Sequence, residues 1–114
     1  MRGISPDTAT LSLSFEDGSI GTIHYLTNGI KSFPKERLEV FVSGKIIQLD
    51  NFRKIKGFGW SGFTRSSSFR QDKGQLNCVK TFVNAVKVGD NSPIPFEEIL
   101  EVSKVSIDLA SEMS

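Results

Sequence analysis

Several residue types are scarce in this 114-residue chain, and each shortage excludes something. Cys78 is the single cysteine, so an internal disulfide framework and a cysteine-based zinc site are both ruled out. No apolar run approaches the roughly 18 residues that suggest a membrane span. The opening "MRGISPDTAT" has no apolar h-region, so no secretory signal is expected. A reducing cytoplasm is the simplest compartment. Neither sign of charge dominates: 14 Lys and Arg against 13 Asp and Glu leave a net charge of +1. That balance gives no global push toward nucleic acid or acidic lipid. What remains is ordinary soluble composition, 38% hydrophobic and 24% charged. The length fits one domain spanning residues 1–114. A chain of this size is expected to bury about two thirds of its unfolded surface.

The first half reads as strands. In "TATLSLSFE", Ala9, Leu11, Leu13 and Phe15 alternate with Thr10, Ser12, Ser14 and Glu16, the period of a strand with two unlike faces. Asp17-Gly18 predicts a two-residue hairpin turn, and "SIGTIHYL" the return strand. There Ile20, Thr22, His24 and Leu26 share one side, with Gly21, Ile23 and Tyr25 on the other. "TNGIKSFPK" is a loop, broken by Asn28-Gly29 and Pro34. "ERLEVFVS" turns at Gly44 into "KIIQLDN"; "FRKIKGF" and "TRSSSF" are further strands around the glycine-rich "GWSGF". The period then becomes helical. Leu76, Val79, Val83 and Val86 recur on one stripe, with Asp72 suited to the N-cap and Gly89 to the position past the C-terminus. After "SPIP", "FEEILEVSKVSIDLASEM" is a second helix with a polar stripe of Glu97, Glu101, Lys104 and Asp108. Five or six strands followed by two helices imply an α+β domain: an open antiparallel or mixed sheet with the helices packed on one face.

Few residues are disposed for catalysis. His24 and Tyr25, the only residues of their types, are adjacent and so point to opposite faces of a strand. They cannot form an acid–base pair in regular β structure; His24 reads as a sheet histidine with a structural partner, and Tyr25 as a packing or interface residue. Cys78 reads as a buried structural thiol. Asp50 and Asp72 suffice as turn and cap residues. "GFGWSG" matches the spacing of a dinucleotide fingerprint, but strand-like sequence follows it and no βαβ unit surrounds it, so the match is rejected. Residues 52–73 interleave Arg53, Lys54, Lys56, Arg65, Arg70 and Lys73 with Phe52, Phe58, Trp60, Phe63 and Phe69. Charge beside aromatic faces is what single-stranded nucleic acid binding requires, although the small net charge argues against it here.

Three blocks together resemble a known family: "LSLSFEDGSIGTIHYL", "FPKERLEVFVSGKIIQLDNFRKI" and "RQDKGQLNCVKTFVNAVKVGDNSPIPFEEILEVSKVSIDLASE". They are similar to the C-terminal part of the glucose–fructose oxidoreductase / inositol dehydrogenase (Gfo/Idh/MocA) family, in its subgroup of dehydrogenases from bacterial sugar or cell-surface gene clusters. The resemblance implies an NAD(P)-dependent sugar oxidoreductase whose N-terminal Rossmann domain is absent from this sequence. This chain would then be the second domain, contributing substrate pocket and subunit interface, and would be inactive alone. NAD or NADP belongs to the full-length parent and no cofactor or metal to this chain. The family's "E-K-P" and "D-x-x-x-H" segments do not occur here, so no catalytic residue is carried over. Partners implied are the parent's own Rossmann domain, a small sugar substrate and a second copy of the chain, most simply a dimer. Lys31, Lys35 and Arg37, on a charged loop beside the sheet ends, are the candidate substrate-binding residues. Thr10, Ser12, Ser14, Tyr25 and Phe41 are the candidate interface residues of an exposed sheet face. The competing reading is a stand-alone binding module for a polyanion, nucleic acid or sugar nucleotide through residues 52–73.

Overall fold

The computed structural model describes residues 8–113. Six strands precede two helices, the α+β order that the sequence implies: β1 (Thr8–Ser14), β2 (Ile20–Leu26), β3 (Arg37–Val42), β4 (Lys45–Asp50), β5 (Lys54–Phe58), β6 (Arg65–Ser67), α1 (Gln75–Val88) and α2 (Phe96–Glu112). The strands form two antiparallel sheets instead of one, an isolated β1–β2 pair and a four-stranded β3–β4–β5–β6 meander. The breaker-rich loop after β2 separates them, since Asn28-Gly29 and Pro34 give it no run of residues to continue a ladder. The chain correspondingly divides into two compact units. One joins residues up to Ile30 with those from Phe96, and the other is Lys31–Pro95.

In the first unit, Leu11 faces Ile23 and Thr10 faces His24 across the β1–β2 ladder. Opposed residues share a face. Ala9, Leu11, Leu13, Gly21, Ile23 and Tyr25 therefore make the apolar side, and the threonines and serines of β1 make the other. The connection is a three-residue loop, not the two-residue turn expected from Asp17-Gly18. The Phe15 N–H donates to Ser19 O at 2.9 Å and Gly18 N–H to Phe15 O at 3.0 Å, with Gly18 at φ 84°. This is a type I turn closed by a left-handed glycine. Asp17 adds an Asx bond, its Oδ1 accepting from Ser19 N–H at 2.9 Å. That bond holds the Asp17 carboxyl below the usual aspartate range. Along α2, the hydroxyls of Ser103 and Ser106 donate back to the carbonyls of Ile99 and Val102, both at 2.7 Å. Serines satisfied this way need no partner elsewhere.

In the second unit, two tight turns set the meander. Ser43 and Gly44 (φ 48° and 74°) connect β3 to β4, and Asn51, Phe52 and Arg53 connect β4 to β5, with Asn51 and Phe52 both at φ 51° and Arg53 N–H donating to Asp50 O at 3.0 Å. Two successive positive φ angles are the signature of a type I′ hairpin turn. The register then sorts the sheet into unlike faces. Leu38, Val40, Val42, Ile47, Leu49 and Ile55 lie on one; Arg37, Glu39, Gln48, Asp50, Lys54, Lys56 and Arg65 lie on the other, with Phe41, Ile46 and Phe58 at its end. The 59–63 loop folds over the apolar face. Trp60 Nε1 donates to Ile46 O at 3.0 Å, Lys45 Nζ sits 4.9 Å from the Trp60 ring, and Phe63 packs so tightly that a Cβ on Gly57 would lie 2.6 Å from its ring.

Helix α1 begins two residues later than an Asp72 N-cap would place it. Gly74 occupies the cap position, its carbonyl receiving Cys78 N–H at 2.8 Å, while Asp72 Oδ1 accepts from Gly74 N–H at 2.8 Å in an Asx turn. The C-terminus is as expected. Gly89 is left-handed at φ 70°, and Asp90 N–H returns to Ala85 O at 2.9 Å in a Schellman-type closure. Cys78 is exposed, which corrects the expectation of a buried thiol.

No described residue is buried. The chain exposes 10542 Å². Two wholly separate globular units of these sizes would expose only about 7,500 Å² by the surface–mass scaling of folded monomers. Much of the apolar surface that the binary pattern prepares is thus uncovered. Among the described residues, no helix is long and apolar enough to cross a membrane.

Candidate functional site

Within the second unit, three segments distant in sequence converge on one cleft. The loop before β3 brings Lys31, Ser32, Phe33, Pro34 and Lys35; the β4–β5 turn brings Asn51; the approach to α1 brings Gln71 and Lys73. The cleft has a volume of about 290 Å³. Backbone bonds fix this convergence. Asn51 N–H donates to Glu36 O at 2.7 Å, and Asp72 N–H donates to Phe52 O at 3.1 Å, so the turn is clasped from both sides. The Gln71 amide adds two bonds from Nε2, to Asn51 O at 3.0 Å and to Asn51 Oδ1 at 2.9 Å. Lys73 is paired with Glu36 and lies 5.6 Å from the Phe52 ring centroid. Lys31 and Lys35 have no hydrogen bond or ion pair among the described residues.

Lys31 and Lys35 therefore stand together in the cleft, while Arg37 stands apart. Its guanidinium donates to Glu39 Oε1 at 2.7 Å and lies 3.9 Å from Asp50, on the polar face of the meander. Gln48 Nε2 also donates to Glu39 Oε1, at 2.8 Å. This amide first, and Arg37 second, hold the Glu39 carboxyl below the usual glutamate range. Sequence reasoning did not attach Asn51, Gln71 or Lys73 to the lysine loop. Their separation of 16 to 42 positions from that loop leaves no local signal.

The five candidate interface residues do not share a surface. Thr10, Ser12 and Ser14 line one face of the β1–β2 pair, and Tyr25 the other. Phe41 belongs to the meander, where Ile46 and Phe58 join it. His24 has the structural partner expected of it: its Nδ1 and the Thr10 hydroxyl are hydrogen-bonded at 3.0 Å, the ring tautomer setting which one donates.

The glycine spacing of residues 57–62 does not form a dinucleotide-binding turn. Gly57 lies within β5 and Gly59 and Gly62 lie between β5 and β6, not ahead of a helix, and the Phe63 and Trp60 rings fill the space beside Gly57. No group of three or more His, Cys, Asp or Glu residues is placed to hold a metal ion among the described residues. Comparison with protein-family models, with curated proteins and with solved structures finds no match.

Proposed function

We propose that this chain is the substrate-shaping and subunit-contacting part of an NAD(P)-dependent sugar oxidoreductase of the Gfo/Idh/MocA kind, inactive by itself. Its chemistry would be hydride transfer at a sugar carbinol carbon, with the cofactor held by a separate nucleotide-binding domain and orientation supplied in part by this chain. The observation that carries the reading is the uncovered apolar surface. An α+β fold with two-faced sheets, amphipathic helices and no buried residue among those described is built to be completed by other protein surface. The apolar face of the meander and that of the β1–β2 pair are the surfaces for the parent's other domain and for a second copy. The lysine and amide cleft is the part that meets substrate.

The test begins with the reading frame upstream of Met1. A glycine-rich βαβ half encoded in frame, and sugar-dependent NAD(P)H formation at 340 nm by the whole protein, are the expected results. A stop codon directly before Met1 overturns the proposal.

One observation favours a second reading. Lys56 and Arg65 are direct cross-strand neighbours, with Lys54 beside them and Phe41 and Phe58 on the same face. Like charges directly opposed are unfavourable in a sheet and are relieved by an anion. A polyanion such as single-stranded nucleic acid fits that face. Salt-dependent binding of a labelled single strand, lost in Lys56→Glu/Arg65→Glu, supports this reading; salt-independent or absent binding removes it.

A further inference from the structure

We propose that the cleft between the 31–35 loop and the β4–β5 turn is a binding site for one small oxyanion, a carboxylate or phosphate, carried on a monosaccharide-sized hydroxylated body. No carboxylate lines the cleft, although three lysines do. Glu36, the nearest acid in sequence, is committed to Lys73 by one oxygen, and its other oxygen is buried without a hydrogen-bond partner. The ion pair fixes Lys73, while Lys31 and Lys35 keep their ammonium groups uncommitted among the described residues. Two free cations beside one positioned cation make a field that an anion neutralises. Ammonium groups act as compact point charges, so they accept either a carboxylate or a phosphate, whereas a guanidinium fork would select planar bidentate partners. Arg37, two positions beyond Lys35, is withdrawn into its pairs with Glu39 and Asp50.

The rest of the lining suits a polyol. Gln71 spends its amide N–H groups on Asn51, which leaves its carbonyl oxygen as an acceptor for hydroxyl groups. Phe33, 71% exposed, and Pro34 supply an apolar wall beside these polar groups. The volume of about 290 Å³ lies at the small end of ligand clefts, which suits one sugar ring and not a dinucleotide. The turn that forms the floor is also strained. Phe52 holds a left-handed φ of 51°, and the Asp72 and Asn51 backbone bonds keep it there. Strain held in place by surrounding bonds is a frequent mark of a binding site.

The identification of the carrier as a sugar rests on the oxidoreductase reading; the anion site does not. The test titrates the 114-residue chain with glucuronate, glucose 6-phosphate and glucose at constant ionic strength, following backbone amide NMR shifts. The expected result is saturable shifts confined to residues 31–35, 51–52 and 71–73 with one or both anionic sugars and none with glucose. Lys31→Gln/Lys35→Gln should weaken that binding about tenfold, as loss of two exposed charge-assisted contacts implies. Those side chains hold no described partner, so the fold is retained, which far-UV circular dichroism checks. Shifts of equal size with glucose, shifts spread over the chain, or unchanged affinity in the double variant would overturn the site. Inorganic phosphate binding as tightly as glucose 6-phosphate would overturn the hydroxylated carrier. Anionic-sugar binding without any sugar-dependent cofactor reduction by the whole protein keeps this site and removes the oxidoreductase reading; turnover without the localised shifts does the reverse.

Discussion

At the scale of single residues, Phe52 and Gly57 are held in opposite kinds of constraint. Phe52 occupies a left-handed conformation that costs an ordinary residue about 1–2 kcal/mol, in the place where a type I′ turn favours glycine. Its ring returns part of that through Lys73, 5.6 Å from its centroid. Phe52→Gly should therefore leave stability within about 1 kcal/mol of the parent, the gain in backbone freedom offsetting the lost ring. Phe52→Val loses the ring and puts a β-branched residue at positive φ, so it should cost at least about 2 kcal/mol in urea unfolding. Equal losses in both variants would mean that the ring, not the backbone, dominates. Gly57 has no spare space at all. Ala there places a Cβ 2.6 Å from the Phe63 ring and 3.1 Å from the Trp60 ring. Gly57→Ala should destabilise by about 1–3 kcal/mol and shift the emission of Trp60, the only tryptophan.

Two carboxyls add a pH dependence of fixed sign. Asp17 and Glu39 are both held below their ordinary range, by the Ser19 N–H and by the Gln48 amide respectively. A carboxyl with a depressed folded-state pKa contributes stability above its unfolded pKa and loses it as pH falls through the folded value. Side-chain carbon NMR titration should find both midpoints on the acidic side of ordinary Asp and Glu, and Gln48→Leu should move that of Glu39 upward. A Glu39 midpoint unmoved by Gln48→Leu would assign the shift to Arg37 alone.

At the scale of elements, local chemistry decides ends more firmly than starts. Gly89 at φ 70° closes α1, and its N–H and that of Asp90 return to the last turn. Gly89→Ala should cost about 1 kcal/mol, read as a lower thermal midpoint with loss of helical signal, because a Cβ opposes the left-handed conformation. That glycine was legible because only one residue type suits the position. The N-terminus was less so: Asp72 does accept a backbone N–H, but through an Asx turn that delivers Gly74 to the cap. The same contrast runs through the strands. Alternation in 8–14 and the Gly44 turn fixed faces and pairing, because a one-residue slip would exchange every side chain between faces. The division into two sheets was not legible, since pairing between strands far apart in sequence is set by loop geometry and not by periodicity. For the same reason Lys31 and Lys35 were recognisable as a charged loop, while the Asn51, Gln71 and Lys73 that complete the cleft were not. Asn51→Gly/Phe52→Gly, which keeps the turn and removes its side chains, separates turn geometry from side-chain contribution to the cleft.

At the scale of the whole molecule, the decisive quantity is area. The exposed surface exceeds what two separate compact units of this mass would show, and large apolar side chains stand exposed at defined faces. On the meander that face carries Leu38, Val40, Val42 and Ile55, exposed by 54%, 42%, 49% and 37%. At roughly 25 cal/mol per Å², covering even half of a standard interface of about 1,600 Å² offers a large driving force before the entropy of association is subtracted. The isolated chain should therefore self-associate at micromolar concentration and bind a dye that reports apolar surface. Val40→Lys/Ile55→Lys should reverse both effects by placing two cations on the face, one on β3 and one on β5. Because both side chains are exposed in the chain alone, the secondary structure should survive the change. Sedimentation velocity over a concentration series distinguishes the outcomes. Concentration-dependent association abolished by the two lysines places the assembly surface on this face. A monomer at every concentration, with no dye binding, would mean that the face is not an assembly surface, and would remove the observation on which the oxidoreductase reading chiefly rests.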